Sequence, residues 1–322
     1  MATLPRQLRV RLDGPKLAFA TSGNGTTLDR WRTLWLEAGH CLVGPDEPAD
    51  LAVFLHATKS RDAIRRTRTA EPGLPIVVAI GGTDLYGVPR DDAALRAGLE
   101  PADRIVVLQP LARARIEADL RDRVRVIPQA CLLAEDFEPV PRPTDRFRFV
   151  VLANLRSEKD PELVGRALEQ VDPELPVEVL HLGFALDPKL ERSIERISRE
   201  RPRYHWLGGR PRAGALDVLS SAHAHVVTSR IEGAPSALSE ALRLGVPTLG
   251  TRIDACVGLL GAHWPGLFDA GDAGALARLI ERVVREREFL VALRAQAQLR
   301  AHAVHPANER RLWAQLFAEL AG

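Results

Sequence analysis

The sequence predicts an α/β protein with two doubly wound domains, each built on a parallel β-sheet. Short apolar runs alternate with amphipathic stretches along the chain, and such alternation is typical of β–α–β units. With 322 residues, the chain is too long for one ordinary hydrophobic core. The segment Phe137–Thr144 holds three prolines, which disfavour regular structure and mark a linker between the two halves.

The first half contains five strand-like apolar runs, and we expect one domain over residues 1–140. The expected strands are Leu17–Ala20, Leu51–Leu55, Ile76–Ile80, Arg104–Leu108 and Val124–Ile127. Apolar residues at helical spacing predict helices over Leu28–Ala38, Ser60–Ala70, Asp91–Gly98 and Pro110–Leu120.

The second half repeats this alternation, and we expect a second domain over residues 145–305. The expected strands are Phe147–Ala153, Val177–Leu182, Tyr204–Leu207, Ala224–Thr228 and Val246–Gly250. The expected helices are Pro161–Val171, Pro188–Arg199, Arg212–Ser221, Ala234–Leu244 and Ala273–Leu299. A last helix, Asn308–Leu320, follows a break at Pro306, and we expect residues 306–322 to pack back onto the first domain.

Composition excludes several classes of protein. Hydrophobic residues make up 46% and charged residues 27% of the chain, which is globular rather than disordered. The net charge is +2 and the arginines form no basic block, so no nucleic-acid partner is expected. No apolar run reaches the ~20 residues of a membrane helix, and the first residues lack a signal-peptide pattern. Three scattered cysteines suit a reducing cytoplasm, and the oligomeric state stays open.

The stretch Ser229–Thr251 carries the clearest functional pattern. A buried strand is followed by a turn at Glu232-Gly233 and by a helix that opens at Ala234-Pro235-Ser236. Unpaired N–H groups and the helix dipole make such a helix start an anion site. Carboxylates accept hydrogen bonds from sugar hydroxyls, and Glu232 and Glu240 bracket the anion site. We therefore expect a sugar nucleotide to bind at Gly233–Ser236, between the two glutamates.

Two cations follow the first strand of the second domain. Arg156 and Lys159 lie at its carboxyl end, where they are suited to binding a phosphate. Cleavage of a sugar–diphosphate bond builds negative charge on the leaving phosphate, and nearby cations stabilise that charge in the transition state. The alternative is a surface pair before an ordinary helix start at Asp160-Pro161.

Polar residues also follow the strands of the first domain, where an acceptor or phosphate would bind. They comprise three residues of a glycine-rich loop, two residues that follow the second strand and two that follow the third. In that order they are Gly23, Asn24 and Gly25, then His56 and Lys59, then Thr83 and Asp84. In the alternative interpretation, His56 is structural and Asp84 merely caps a short helix. The strand-end residues Gln109 and Gln129 are left open between the two interpretations.

Metal and nucleophile patterns are lacking in the sequence. No Asp-x-Asp follows a strand and the histidines lack metal spacing, so we expect neither a metal nor another cofactor. We also find no convincing Ser/His/Asp or Cys/His constellation. This suits an acceptor that needs little help from a general base.

The motifs together resemble a known enzyme family. Glu232-x7-Glu240, the Glu-Gly-x-Pro at 232–235, Gly245-Val-Pro247, His205–Gly208 and Leu267–Asp272 stand in the order found in family-4 retaining GT-B glycosyltransferases. The resemblance implies two Rossmann-like domains facing across a cleft and metal-independent glycosyl transfer. It further implies that Glu232 holds sugar hydroxyls, Glu240 holds the ribose hydroxyls and the backbone at 234–236 meets the diphosphate.

The first half narrows the resemblance to the selenosugar synthases of selenoneine biosynthesis. The similar segments are Leu55–Ser60, Gly82–Tyr86, Val107–Gln109, Ile127–Gln129 and Leu155–Pro161. This group implies a carbon–selenium bond formed from selenophosphate and a UDP-sugar, either UDP-N-acetylglucosamine (UDP-GlcNAc) or UDP-glucose. Two alternatives remain: a family-4 transferase with a thiophosphate, thiol or hydroxyl acceptor, and a non-catalytic protein that binds sugar nucleotides.

Overall fold

A computed structural model of the chain describes residues 7–15, 23–87 and 89–321. The chain forms two compact units. Unit 1 comprises Met1–Leu132 and His305–Gly322, and unit 2 comprises Leu133–Val304. Among the helices formed by the described residues, none is both long and apolar enough to cross a membrane.

Unit 1 is built on a parallel six-stranded sheet. Its strands are β1 Arg9–Asp13, β2 Cys41–Val43, β3 Leu51–Leu55, β4 Ile76–Ala79, β5 Arg104–Val107 and β6 Val124–Val126, in the order β2-β1-β3-β4-β5-β6. Its helices are α1 Gly23–Glu37, α2 Arg61–Ala70, α3 Gly82–Tyr86, α4 Asp92–Leu99 and a C-terminal helix, Pro306–Ala321. Every residue of β3 and β4 is buried, as expected when helices cover both faces of a parallel sheet.

Unit 1 differs from its predicted elements in two places, and one predicted strand cannot be compared. The predicted strand Leu17–Ala20 lies outside the described residues. The strand Arg9–Asp13 was not predicted, because its alternating charged residues hide the apolar pattern. The predicted helix Pro110–Leu120 is wrong: two 3₁₀ helices, Pro110–Arg115 and Ala118–Arg123, replace it. Ile116 separates them because it is buried and has an extended backbone.

The C-terminal helix is fastened to α1 by aromatic rings and one buried carboxylate. The Trp313 ring lies 5.1 Å from Trp31 and 4.9 Å from Trp35, measured between centroids. The Glu309 carboxylate is 1% exposed and accepts hydrogen bonds from Arg30 Nε (3.0 Å) and Trp31 Nε1 (2.9 Å). The last residues of the chain therefore complete the core of unit 1.

Unit 2 is built on a second parallel six-stranded sheet. Its strands are β7 Phe147–Leu152, β8 Val177–Leu182, β9 Tyr204–Trp206, β10 Ala224–Val227, β11 Thr248–Thr251 and β12 Leu267–Phe268, in the order β12-β11-β10-β7-β8-β9. Its helices are α5 Leu163–Leu168, α6 Pro188–Glu200, α7 Arg212–Ser220, α8 Ser236–Arg243, α9 Asp254–Leu260, α10 Ala273–Arg285 and α11 Arg287–Ala301. The predicted single helix Ala273–Leu299 is wrong, because a non-helical backbone at Glu286 divides it.

Each sheet has a point at which the strand order reverses. The reversal lies between β1 and β3 in unit 1 and between β7 and β10 in unit 2. Ligands of open α/β sheets bind outside the carboxyl ends of the strands at such switch points. The segments that follow β3, β7 and β10 are therefore the places to look for a site.

Candidate functional site

In unit 2, the segments after β7 and β10 are joined by hydrogen bonds. The Thr228 hydroxyl donates to the carbonyl oxygen of Lys159 at 2.6 Å, and the Arg230 N–H donates to the carbonyl oxygen of Glu158 at 2.8 Å. The Asp160 carboxylate, which is buried, pairs with Arg230 at 2.6 Å. These contacts fix both segments at the switch point, so their side chains meet in a defined arrangement.

The Lys159 ammonium contacts Glu232 Oε1 at this point. The Ser229 hydroxyl donates to the same carboxylate oxygen at 2.9 Å, and Thr251 Oγ1 in turn donates to the Ser229 carbonyl at 2.6 Å. The Lys159 and Glu232 side chains are 23% and 12% exposed, so a ligand can reach both. One spot thus offers a cation for phosphate and a carboxylate for hydroxyl groups.

The segment from Arg156 to Asp160 does not form the ordinary helix start that the sequence offered as an alternative. Residues Ser157–Lys159 form a 3₁₀ turn that ends at Asp160 in the left-handed region, with φ of 42°. Helix α5 begins only at Leu163. The Arg156 side chain is half exposed and lies 3.6 Å from Glu158, which leaves its guanidinium largely in solvent.

Glu240 lies on α8 and pairs with Arg212 Nε at 3.1 Å. Its side chain is 13% exposed. The amino end of the same helix follows the turn Gly233-Ala234, with Pro235 as the N-cap residue. Proline has no side-chain oxygen to cap a helix, but the Pro235 carbonyl accepts a hydrogen bond from the Leu238 N–H at 3.0 Å. The amino end of a helix is also a place at which an anion can bind.

In unit 1, Asp84 is a buried acceptor on which several donors converge. It is 1% exposed. Its carboxylate accepts from Ala57 N (2.9 Å), Thr58 N (3.0 Å), Thr58 Oγ1 (2.7 Å) and Gly81 N (2.8 Å), and it lies 2.7 Å from His56 Nδ1. Burial acts to raise the pKa of Asp84, but the His56 imidazole and the Thr58 donors outweigh burial and lower that pKa. The Asp84 oxygens are occupied by protein groups and shielded from solvent, and contact of Asp84 with a ligand stays a prediction.

His56 is likewise buried, whereas its partner Thr83 is exposed. His56 is 2% exposed, and its Nε2 lies 2.8 Å from Thr83 Oγ1. The two residues meet because β3 and β4 are neighbours, with Leu55 paired to Ala79. His56 thus contacts the exposed Thr83 side chain, and direct contact of His56 with a ligand stays a prediction.

The remaining strand-end residues of unit 1 have different surroundings. Gly23, Asn24 and Gly25 form the first turn of α1 rather than a loop, and Thr27 Oγ1 donates back to the Gly23 carbonyl at 2.9 Å. Gln109 is buried and donates to the Tyr86 hydroxyl at 2.9 Å, so its role is structural. Lys59 is exposed beside His56.

Sequence reasoning missed three residues that shape these sites. Ser229 and Arg212 hold the two glutamates of unit 2, and Asp160 fixes the Lys159 turn through Arg230. A serine three residues before a turn glutamate was the available signal for Ser229. The pairing of Arg212 with Glu240 had no signal, since 28 residues separate them.

The described residues hold neither a group of metal ligands nor a reactive thiol near Glu232. Within residues 7–15, 23–87 and 89–321, no three His, Cys, Asp or Glu side chains are grouped to hold a metal ion. Cys256 is fully buried near Glu232, and burial raises the pKa of its thiol to about 12. A thiol of that kind stays protonated and does not act as a nucleophile at neutral pH.

Comparison with known proteins identifies the family. Residues 134–300, more than half of the chain, match the model of the family "Glycosyl transferases group 1". The comparison with curated proteins gives no match.

Solved structures share the fold across nearly the whole chain. HepE of Anabaena, solved with UDP and glucose, is similar with a TM-score of 0.74 and 14% identity, over 97% of this chain and 100% of that chain. The sucrose-phosphate synthase of Thermosynechococcus elongatus has a TM-score of 0.79 and 17% identity, over 98% and 99% of the two chains. The lipopolysaccharide outer core galactosyltransferase WaaB has a TM-score of 0.71 and 13% identity, over 97% and 99%. The fold is that of GT-B glycosyltransferases, and the chain belongs to the group 1 glycosyltransferase family.

Proposed function

We propose that the protein transfers a sugar from a UDP-sugar, UDP-GlcNAc or UDP-glucose, to selenophosphate and so forms a carbon–selenium bond. The observation that carries the donor half is the contact between Lys159 and Glu232 at the switch point of unit 2. The acceptor half rests on the resemblance of Leu55–Ser60 and Gly82–Tyr86 to selenosugar synthases.

The donor binds through the polar groups of unit 2. Glu232 accepts hydrogen bonds from sugar hydroxyls, and Glu240 accepts from the ribose hydroxyls. The backbone at Gly233–Ser236 and the amino end of α8 meet the diphosphate. HepE, which shares this fold, was solved with UDP and glucose, and that supports a UDP-sugar as the donor here.

Lys159 is the main catalytic group of the donor half. Without ligand its charge is neutralised by Glu232. When the diphosphate binds, the ammonium turns from the carboxylate to the leaving phosphate, while Ser229 continues to hold Glu232. Charge develops on that phosphate in the transition state, so the cation lowers the barrier rather than merely tightening binding. Arg156, which is half exposed, adds a second cation.

Selenophosphate is an anion with a soft, nucleophilic selenium atom. Lys59 is exposed and, within the described residues, has no side-chain ion pair, so it is suited to hold the acceptor phosphate. Asn24, in the first turn of α1, is half-buried and is a second candidate for that contact. Neither group requires a metal, and we propose transfer without one.

Incubation of the protein with UDP-GlcNAc or UDP-glucose and selenophosphate tests this function. Mass spectrometry should detect a selenium-containing sugar together with released UDP, and EDTA should leave the rate unchanged. Release of UDP only with thiophosphate, a thiol or a hydroxyl compound would instead assign another acceptor. A thermal shift with UDP but no turnover on any acceptor would indicate a non-catalytic sugar-nucleotide-binding protein.

A further inference from the structure

We infer that Asp84, His56 and Thr83 form a proton relay that takes a proton from the acceptor substrate, with the Thr83 hydroxyl as the group that touches it. This inference rests on the proposed function, because it concerns the acceptor of that same transfer. It differs from the sequence-based expectation, in which no side chain serves as a base.

The contacts of His56 determine which of its ring nitrogens carries a proton. Donors converge on the Asp84 carboxylate from Ala57, Thr58 and Gly81, and an ionised carboxylate only accepts hydrogen bonds. The imidazole nitrogen facing it at 2.7 Å, Nδ1, must therefore carry a proton. In the neutral ring this leaves the lone pair on Nε2, which faces Thr83 Oγ1 at 2.8 Å.

The His56 imidazole is held rigidly. His56 has φ of 74°, an unusual value for a residue other than glycine. Its ring also packs against Gly81 so closely that a β-carbon there would lie 2.7 Å from His56 Cδ2. The ring is thus held in one orientation by backbone, carboxylate and a glycine-sized gap. Such constraint is typical of a functional group rather than of a filler in the core.

The direction of the hydrogen bond made by the Thr83 hydroxyl follows from the tautomer of His56. With Nε2 unprotonated, the Thr83 hydroxyl, 2.8 Å away, donates its proton to that nitrogen. This leaves the lone pairs of Oγ1 available to a substrate, because Thr83 is exposed at the start of α3. At the place where the sequence predicts an acceptor or a phosphate, Thr83 thus offers a lone pair rather than a proton. Thr83 accepts a hydrogen bond, and it therefore selects an acceptor substrate that still carries a proton.

The chemical step balances with these groups alone. The acceptor atom, selenium, sulfur or oxygen, bonds to the anomeric carbon, and the bond from that carbon to the diphosphate oxygen breaks with its electron pair. The acceptor's proton passes to Thr83 Oγ1 while the original Thr83 proton passes to His56 Nε2. The imidazolium that forms is offset by the Asp84 carboxylate. With selenophosphate, the reacting species is the hydrogen form of that anion.

Kinetics of Thr83 variants test the relay, with UDP-GlcNAc and hydrogen selenophosphate or thiophosphate as substrates. Thr83→Val keeps the shape but removes the hydroxyl, and we expect kcat to fall roughly 10²-fold or more while the Kd for UDP is unchanged. Thr83→Ser should restore kcat to within a few fold. Thr33→Val removes an exposed hydroxyl on α1 and should have no effect. A Thr83→Val enzyme within twofold of the wild-type kcat would overturn the relay.

A double variant separates a relay from two independent structural roles. His56→Gln should lower kcat about as much as Thr83→Val, and the combined variant should be no slower than the worse single variant, since both act in one chain. If the losses in kcat of the two single variants multiply in the double variant, the relay is contradicted.

A spectroscopic readout needs no turnover. In protein labelled with ¹⁵N-histidine, His56 should show a protonated Nδ1 and an unprotonated Nε2, with the signal assigned by its loss in His56→Gln. A protonated Nε2 would overturn the relay even if a substrate is turned over. Conversely, a wild-type enzyme that transfers sugar to no acceptor would refute the proposed function and leave this tautomer measurement to judge the relay.

Discussion

The polar groups at the strand ends of unit 2 reach solvent, whereas most of those in unit 1 are buried. Lys159 and Glu232 are 23% and 12% exposed, while His56 and Asp84 have side chains that are 2% and 0% exposed. Both sets follow neighbouring strands of a parallel six-stranded sheet. The same architecture therefore carries an accessible ion pair in one unit and, in the other, a buried dyad that contacts the exposed Thr83.

This difference indicates how the two halves of the reaction differ in their needs. A diphosphate leaving group requires charge that can move to meet it, and under the proposed function the partly exposed Lys159 on its fixed turn would supply that charge. A proton acceptor requires a fixed tautomer, and burial with a dedicated carboxylate provides it.

The largest effect should come from the aromatic cluster that closes unit 1. Trp313→Ala removes a ring packed between Trp31, Trp35 and Phe317 and should lower the free energy of unfolding of unit 1 by ~3–5 kcal/mol. Denaturant unfolding followed by amide hydrogen exchange in each unit measures it. Leu36→Ala, a 55% exposed site on α1, is the control. Equal loss of protection in both units would show that the units do not unfold separately.

Lys159→Ala should come next, with kcat reduced roughly 10²–10³-fold because the cation no longer stabilises the leaving phosphate. UDP release measures the rate, and circular dichroism checks that the fold is retained. Lys189→Ala on α6, which removes an exposed lysine of the same unit, should retain full activity. An unchanged kcat in Lys159→Ala would remove Lys159 from the chemistry.

Stability should fall on acidification more steeply in unit 2 than in unit 1. Burial lowers the pKa of His225 to about 3, and burial, opposed by a hydrogen bond to the Ala153 carbonyl, lowers that of His181 to about 4. Unit 1 has one such histidine, His40, whose pKa burial also lowers.

The sign follows from the unfolded state, in which histidine takes up a proton near pH 6.5. Stability is therefore complete above pH 6.5 and declines toward pH 4, by ~2–3 kcal/mol for each buried histidine of unit 2. Urea unfolding at a series of pH values tests this. His225→Leu should flatten the decline, and His263→Ala, an exposed site, should not. A decline that survives His225→Leu in full would contradict the assignment.

The smallest effect should be on nucleotide affinity. Glu240→Gln weakens the hydrogen bonds that the carboxylate makes to the ribose, so the Kd for UDP should rise about tenfold with little change in kcat. Calorimetric titration measures the Kd, and Glu195→Gln on the exposed side of α6 is the matched control. A Kd equal to that of the wild type would exclude Glu240 from the donor site.

Much of this protein follows from the sequence. The buried strands Leu51–Leu55 and Val177–Leu182 were predicted with their observed bounds, because a parallel sheet covered on both faces demands unbroken apolar runs. The glutamate pair on the β10–α8 segment and Lys159 after β7 were also located, since a helix start after a strand limits where an anion can bind. Local pattern determined these features.

The tertiary structure decided what each polar residue does. Asp84 and His56 are 28 residues apart, and only the pairing of β3 with β4 joins them into a dyad and buries both. From the sequence, Glu309 would be assigned to the exposed surface of the final helix. In the structure it is buried and accepts hydrogen bonds from Arg30, Trp31 and Ala130. Hydrogen-bond partners and burial depend on contacts distant in sequence, so no local pattern could assign these roles. The sequence therefore indicated which residues to consider, and contacts in the folded chain decided their hydrogen-bond partners and burial.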